Sequence, residues 1–437
     1  MSVQLVMIAT LVAVFLIATV LPVHMGALAF VAAFAVGTLV LGESSDDIVG
    51  GFPGDLFVIL VGVTYLFAIA TNNGTITWLV HQAVRVVRGR IALVPWMMFL
   101  VTGALTAVGA VVPAAVAIIA PIGMGFALRY RINPALMGLF IINGASAGGF
   151  SPMSIFGGIV NGVVTRNNLP GDPVLLFVSS FAFNVALSVV VFFLFGGRKL
   201  LARGREPVAE LAAVGGRTEG DGPAPAIGGT DSADAEPDDS AKLTLDRALT
   251  LAGLLGLTIG VLFFDLDVGF TAISVAVLLS LVSPKSAKGA VSQVAWPTVL
   301  LICGIVTFVS MMERAGTITF LGDQVAGIGV PLLAAAIICL IGAAVSAFAS
   351  TTGILGALIP LAVPFLLAGE VGAVGLIIAL SISSSVVDSS PFSTSGALVV
   401  ANATEETREE VFGKLMRWGF SMVLVAPAVS WLVFVVL

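Results

Sequence analysis

Charge is scarce in this sequence. Only 10% of its 437 residues are Asp, Glu, Lys or Arg, where a soluble domain carries about 25%. That excludes a large soluble protein with an apolar core. Histidine and cysteine are scarcer still, at two each. Cys303 and Cys339 fall within apolar runs and read as small buried hydrophobes, not as a disulfide or a metal pair. His24 and His81 lie far apart, near the ends of such runs, and carry no expected role. No HExxH, Walker A loop or Gly-x-Ser-x-Gly occurs, which argues against an intramembrane protease, an ATP-driven pump and a lipase. The opening Met1-Ser2-Val3-Gln4 has no basic residue, and no small-x-small cleavage site followed by polar sequence appears. It reads as the start of a first span and not as a cleavable signal.

What the chain has instead is apolar length. Hydrophobic residues make up 58% of it, and mean hydropathy is +1.13. Apolar runs of roughly 20 residues recur from Leu5 onward, each long enough to cross ~30 Å of hydrocarbon. The expected fold class is an all-α polytopic membrane protein. Its spans are predicted at 3–22, 25–42, 53–72, 173–196, 246–264, 267–283, 296–312 and 412–437. The segment from Gly74 to Arg90 combines apolar residues with late arginines and is expected to lie in the interface. The stretch 92–128 is too long for one span and is interrupted by Gly103, Gly109 and Pro113, which suggests a re-entrant hairpin. A second hairpin is expected at 330–366.

Two short patterns stand out within the apolar runs: Ser151-Pro152-Met153-Ser154-Ile155-Phe156-Gly157, and 239 residues later Ser390-Pro391-Phe392-Ser393-Thr394-Ser395-Gly396. Proline cannot continue a helix and pushes the residue before it out of the helical region. Each pattern therefore predicts a helix broken in mid-membrane, over 134–165 and 372–404. Irregular backbone at that depth is tolerated only inside protein or beside a watered cavity. Paired breaks in two halves are the sequence pointer to a transporter's binding site.

The halves also match elsewhere. Gly62 corresponds to Gly304, Gly74-Thr75-Ile76-Thr77 to Gly316-Thr317-Ile318-Thr319, and Pro121 to Pro360. Residues 1–205 and 242–437 are thus expected to be two repeats, each of five spans and one hairpin, joined by a disordered linker at 206–241 rich in Ala, Gly, Pro, Asp and Ser. An odd number of spans inverts the second repeat relative to the first. With both termini outside, all but Arg166 and Arg314 of the 19 lysines and arginines fall on the cytoplasmic side, linker included.

Asp388 is the one acidic residue expected deep in the membrane, in Ser383-Ser384-Ser385-Val386-Val387-Asp388-Ser389-Ser390-Pro391. A carboxylate there costs roughly 2.5–3.5 kcal/mol on insertion scales and needs a partner. Two readings stand: coupling to a cation or proton, or capping of the broken helix. The second hairpin tip, Ser350-Thr351-Thr352, offers hydroxyls facing the break, with Ser390, Ser393 and Thr394 opposite. Such oxygens suit Na⁺, giving Ser350, Thr351, Asp388 and Ser393 as a candidate cation site. They are equally suited to capping helices. Free N–H groups at a half-helix N-terminus attract an anion. The first tip instead reads Val111-Val112-Pro113, so a cation in that half would rely on carbonyls with Ser151 and Ser154. Asn143, Ser146 and Asn161 flank the first break and would bind substrate or bond across helices. No cofactor beyond a bound Na⁺ and no nucleic-acid partner is expected.

Gly144-Ala145-Ser146-Ala147-Gly148-Gly149-Phe150-Ser151-Pro152, Asn161-Gly162, Phe348-Ala349-Ser350-Thr351-Thr352 and Val387-Asp388-Ser389-Ser390-Pro391-Phe392-Ser393-Thr394 resemble the malonate/dicarboxylate carriers of the MatC type. Those carriers belong to the ion transporter superfamily that includes the divalent anion:sodium symporters. The resemblance covers nearly the whole chain apart from the linker. It implies a homodimer in the cytoplasmic membrane, a scaffold domain, and a mobile transport domain that works as an elevator. It also implies that hydroxyls at Ser350-Thr351-Thr352 and Ser393-Thr394 hold substrate carboxylates and line a Na⁺ site. The first half departs from that pattern at Val111-Val112-Pro113, and no sodium-site residues carry over to its tip. The expected function is cation-coupled uptake of a small dicarboxylate such as malonate, succinate or malate. The rivals are a cation/proton antiporter using Asp388, a membrane enzyme acting on a lipid carrier, and a passive channel.

Overall fold

A computed structural model describes residues 3–86, 90–203, 243–264, 266–317, 320, 330–347, 351–367 and 371–437. The described residues form helices and no β-strand. This follows from the solvent, because hydrocarbon offers the backbone no hydrogen bonds and a lone segment satisfies itself only as a helix.

The first half contains α1 (Val3–Val20), α2 (Met25–Val36), the short α3 (Ser45–Val49), α4 (Gly54–Asn72) and α5 (Thr75–Val86). It continues through α6 (Val94–Ala107), α7 (Val112–Arg129), α8 (Pro134–Gly148), α9 (Ile155–Arg166), α10 (Pro173–Leu194) and α11 (Gly197–Ala202). The linker expected at 206–241 lies outside the described residues. The second half contains α12 (Leu245–Phe264), α13 (Val268–Val282), α14 (Pro284–Ala287), α15 (Trp296–Arg314), α16 (Pro331–Ser346), α17 (Thr351–Leu367), α18 (Ala373–Val386), α19 (Thr394–Ala401) and α20 (Glu405–Trp431). Among the described residues, six helical segments are long and apolar enough to cross a membrane, and shorter apolar helices accompany them.

Local chemistry sets several boundaries. Ser44 and Asp47 cap α3 reciprocally, at 3.0 Å from the Ser44 amide to Asp47 Oδ2 and 3.2 Å from the Asp47 amide to Ser44 Oγ. The Ser44 hydroxyl and amide hold the Asp47 carboxyl below the usual carboxylate range. The stretch 92–128 turns at 108–111, where Gly109 takes φ +120°, while α6 runs through Gly103 unbroken. The final helix begins at Glu405 instead of 412, a correction to the expected span. Hydropathy marks where a helix enters hydrocarbon. Glu405 and Glu406, which favour a helix N-terminus, carry the helix beyond that point.

Helices of the two halves pack crosswise. In the first half α4 lies on α13, and in the second α15 lies on α2. Both crossings are close enough that backbone meets backbone: a Cβ on Gly62 would collide with the Gly269 carbonyl, and one on Gly304 with the Gly26 carbonyl. Likewise α7 packs on α19, and α17 on α9. At the start of α4, Asp55 pairs with Arg166, and nearby Glu43 pairs with Arg314 at 3.1 Å. At the end of α4, Asn72 donates to the Ser286 carbonyl (3.1 Å), and Arg247 donates to the Asn73 carbonyl (3.2 Å).

Candidate functional site

Two helix interruptions lie buried within the molecule. After α8 ends at Gly148, the chain crosses residues 149–154 in turns before α9 begins. After α18 ends at Val386, a single tight turn (Val387–Ser389) leads through 390–393 into α19. Ser151, Ser154, Ser390 and Ser393 are all buried there.

The first interruption is held by Ser154. Its hydroxyl accepts the Gly157 N–H at 3.2 Å, capping α9, and lies 2.7 Å from the Ser151 carbonyl and closer still to that of Gly149. Ser151 donates to the Ala107 carbonyl at 2.5 Å, tying the break to the first hairpin arm, and accepts the Met153 N–H at 3.2 Å. The second interruption repeats the plan. Ser393 accepts the Gly396 N–H at 3.2 Å and lies 2.7 Å from the Ser390 carbonyl and closer still to that of Asp388. Ser390 accepts the Phe392 N–H at 3.3 Å. A Cβ on Gly157 or Gly396 would strike the carbonyl of Ser151 or Ser390. The turn thus folds back on the half-helix at a distance only glycine permits.

The two interruptions differ in charge. Asp388 is 3% exposed, and Ser395 Oγ lies 3.5 Å from its Oδ2. The Thr351 side chain also interacts with this carboxyl. In the first half the same place, 239 residues earlier, is Gly149. Thr351 and Thr352 are buried at the start of α17, and Thr351 Oγ1 lies 3.0 Å from Ser346 Oγ across the hairpin. The candidate Ser350 lies outside the described residues. Thr394 is exposed and Asn161 half-buried, so neither is enclosed with the serines of the breaks. Asn143 is buried and donates to Ser188 Oγ at 3.1 Å, and Ser146 is buried beside it on α8.

Several polar groups here escaped the sequence reading. Ser395, and not Ser393, supplies the hydroxyl beside the Asp388 carboxylate, because the Ser393 hydroxyl is occupied by backbone. Ser180, Asn184 and Ser188 are each fully buried on α10. Their spacing of four residues places them on one face, a signal present in the sequence. Ser146 Oγ, Ser180 Oγ, Asn184 Oδ1, Ser381 Oγ and Ser384 Oγ have no hydrogen-bond partner among the described residues. Buried polar atoms nearly always bond to something, and these five are gathered on α8, α10 and α18, which pack on one another.

Comparison with known proteins adds three findings. A family model for the N-terminus of the dicarboxylate carrier protein MatC matches residues 1–149. A citrate transporter model matches residues 259–437. Among solved structures, that of the Alcanivorax borkumensis YdaH transporter, described as having an unusual topology, matches with a TM-score of 0.59 at 14% identity. The match covers 93% of this chain and 96% of that one. No curated protein sequence gives a significant match. Both family models are of carboxylate transporters and the fold is that of a transporter, so the chain is a multi-pass membrane protein for secondary transport of carboxylates and not an enzyme. Carboxylate-carrier models thus match the two ends of the chain, a MatC N-terminus over 1–149 and a citrate transporter over 259–437, and a transporter fold runs along nearly its whole length.

Proposed function

We propose that the chain takes up a small dicarboxylate of the malonate, succinate or malate class together with a cation, by an elevator movement of the broken helices and hairpins. The observation that carries this reading is the buried Asp388 carboxylate beside the Ser395 hydroxyl, where the second helix breaks. An unneutralised carboxylate in that place is costly, and a cation or proton supplies the missing charge. The donors are hard oxygens: the Asp388 carboxyl with the hydroxyls of Thr351 and Ser395. They suit Na⁺, which is cargo here and not a resident cofactor. The N-termini of α9 and α19 supply N–H groups and positive dipole ends for the carboxylates of the substrate. Ser151, Ser390, Asn143, Ser146, Thr351 and Thr352 are the polar side chains we assign to it.

An inverted pair of repeats, homodimerisation through a scaffold domain, and a cytoplasmic-membrane location with both termini outside complete the proposal. The crosswise packing of α4 on α13 and α15 on α2 supports the repeat. The pairing of Arg166 and Arg314 with acids near the start of α4 supports the sidedness, since these two were the only basic residues expected outside.

The test is uptake of radiolabelled malonate and succinate into proteoliposomes, under an inward Na⁺ gradient and separately under an inward proton gradient. Na⁺-driven uptake makes Na⁺ the coupling ion, and proton-driven uptake makes Asp388 the proton carrier. No uptake under either gradient by folded protein overturns dicarboxylate uptake and favours cation/proton antiport.

A further inference from the structure

Away from the breaks, a cavity of about 830 Å³ opens where the end of α10 meets α20. Gly196, at φ +101°, turns the chain from α10 into α11 and brings Arg198 and Lys199 to the cavity wall. From α20 come Lys414, Arg417 and Trp418, three and four residues apart and therefore on one helix face. Four cationic side chains thus share one space.

Few of their donors are used internally. Lys414 pairs with Glu410 and lies 3.5 Å from Asn133 Oδ1. Arg417 gives its Nε–H to the Gly413 carbonyl at 3.2 Å. The Arg198 guanidinium stacks 5.7 Å from the centre of the Phe193 ring. Glu410 is the one carboxylate among these partners, so the wall is strongly positive. A second, independent feature points the same way. Trp418 is 7% exposed, and its indole N–H has no hydrogen-bond partner among the described residues. A buried N–H donor beside four cations suits an anionic oxygen.

The other wall is apolar. Phe193 and Leu194 line the cavity and are exposed, and α20 continues from it with exposed Leu424 and Val425. Exposed apolar residues on spanning helices face hydrocarbon. A small dicarboxylate has nothing to set against them. An anionic lipid matches both walls, with its phosphate among the cations and its chains along Phe193 and Leu194. Basic pockets between helices at the cytoplasmic face are suited to such headgroups.

We infer that this cavity binds the phosphate headgroup of an anionic phospholipid. The site adjoins the transport machinery, since Gly419, next to Trp418, packs directly on Ser390 of the second break. The inference does not rest on the proposed transport function, and its readout is lipid binding alone.

The test uses the full-length, delipidated protein in detergent. Binding of phosphatidylglycerol and phosphatidylcholine is titrated by native mass spectrometry. The expected result is tighter binding of phosphatidylglycerol. In the double variant Lys199→Gln/Arg417→Gln that binding weakens by about tenfold or more. A control pair, Lys285→Gln/Lys288→Gln, lies outside the cavity and keeps wild-type binding. Lys199→Gln alone changes an exposed side chain and serves if the double variant misfolds; its expected loss is smaller and in the same direction. Equal binding of the two lipids overturns the inference, as does an unaffected cavity variant. Displacement of phosphatidylglycerol by malonate also overturns it, and assigns the cavity to the soluble anion.

Discussion

Ser154 and Ser393 make the same hydrogen bonds in two places 239 residues apart. Each accepts the N–H three residues ahead at 3.2 Å, and each lies 2.7 Å from the carbonyl three residues behind. A second carbonyl, five residues back, completes both sets. The match extends through Gly157 and Gly396, each pressed against the first serine carbonyl of its motif. The repeat is thus a repeat of hydrogen bonds as well as of residues. The two copies differ in charge at Asp388, where the first has Gly149, and in the hydroxyl beside it, Ser395, where the first has Phe156.

That difference gives the first prediction. Asp388→Asn keeps the size of the side chain and removes its charge. The variant is expected to reach the membrane at wild-type levels and to lose cation-stimulated uptake. Normal cation-driven uptake by Asp388→Asn would remove the carboxylate from the coupling step.

A second prediction concerns the glycines. Gly157→Ala and Gly396→Ala each force a Cβ into a backbone carbonyl that has little freedom to move. Each is expected to destabilise the protein by about 1–3 kcal/mol, read as a lower melting temperature in detergent. Gly413→Ala, on a helix face with open space beside it, is the control and should not lower it.

The serines separate capping from binding. Ser154→Ala and Ser393→Ala remove N-caps and should cost about 1 kcal/mol of stability. Ser151→Ala and Ser390→Ala leave the caps in place and are expected to raise KM for the dicarboxylate. Unchanged uptake kinetics in both would take the breaks out of the binding site.

The stripe on α10 is tested by Asn184→Leu. Asn184 uses its amide N–H on the Ser180 carbonyl at 2.9 Å, while Oδ1 has no partner among the described residues. If that oxygen serves the transport interior, the variant retains its melting temperature within about 1 kcal/mol equivalent and shows slower uptake. Unaltered uptake with unaltered stability would confine Asn184 to helix packing.

Much of this molecule is legible in its sequence because the membrane simplifies the reading. Apolar length gave α1, α4, α10, α12 and α13 nearly to their ends. Proline alone was a weaker guide. Pro121 and Pro427 sit inside helices, whereas Pro152 and Pro391 sit in the interruptions. The difference lies in the neighbours: Ser154 and Ser393 stand ready to cap a restarted helix, and Gly157 and Gly396 make room for the turn. The start of α20 was missed because hydropathy falls where a helix leaves hydrocarbon, although the helix itself does not stop. The role of Ser395 was hidden for another reason. Which of several neighbouring serines faces Asp388 depends on the rotation of one helical turn, and residue type does not encode it.

The single carboxylate has an electrical consequence. A cycle that carries one monovalent cation with one dianion moves a net charge of −1 into the cell, whatever route the helices take. An interior-negative potential opposes that transfer by about 2.3 kcal/mol per 100 mV. With Gly149 in place of a second carboxylate, a carrier that takes one such cation works against the voltage that drives most nutrient uptake. A substrate that enters singly protonated cancels the penalty. Malonate accumulation in vesicles would then rise as the outside is made more acidic and become indifferent to an imposed potassium diffusion potential.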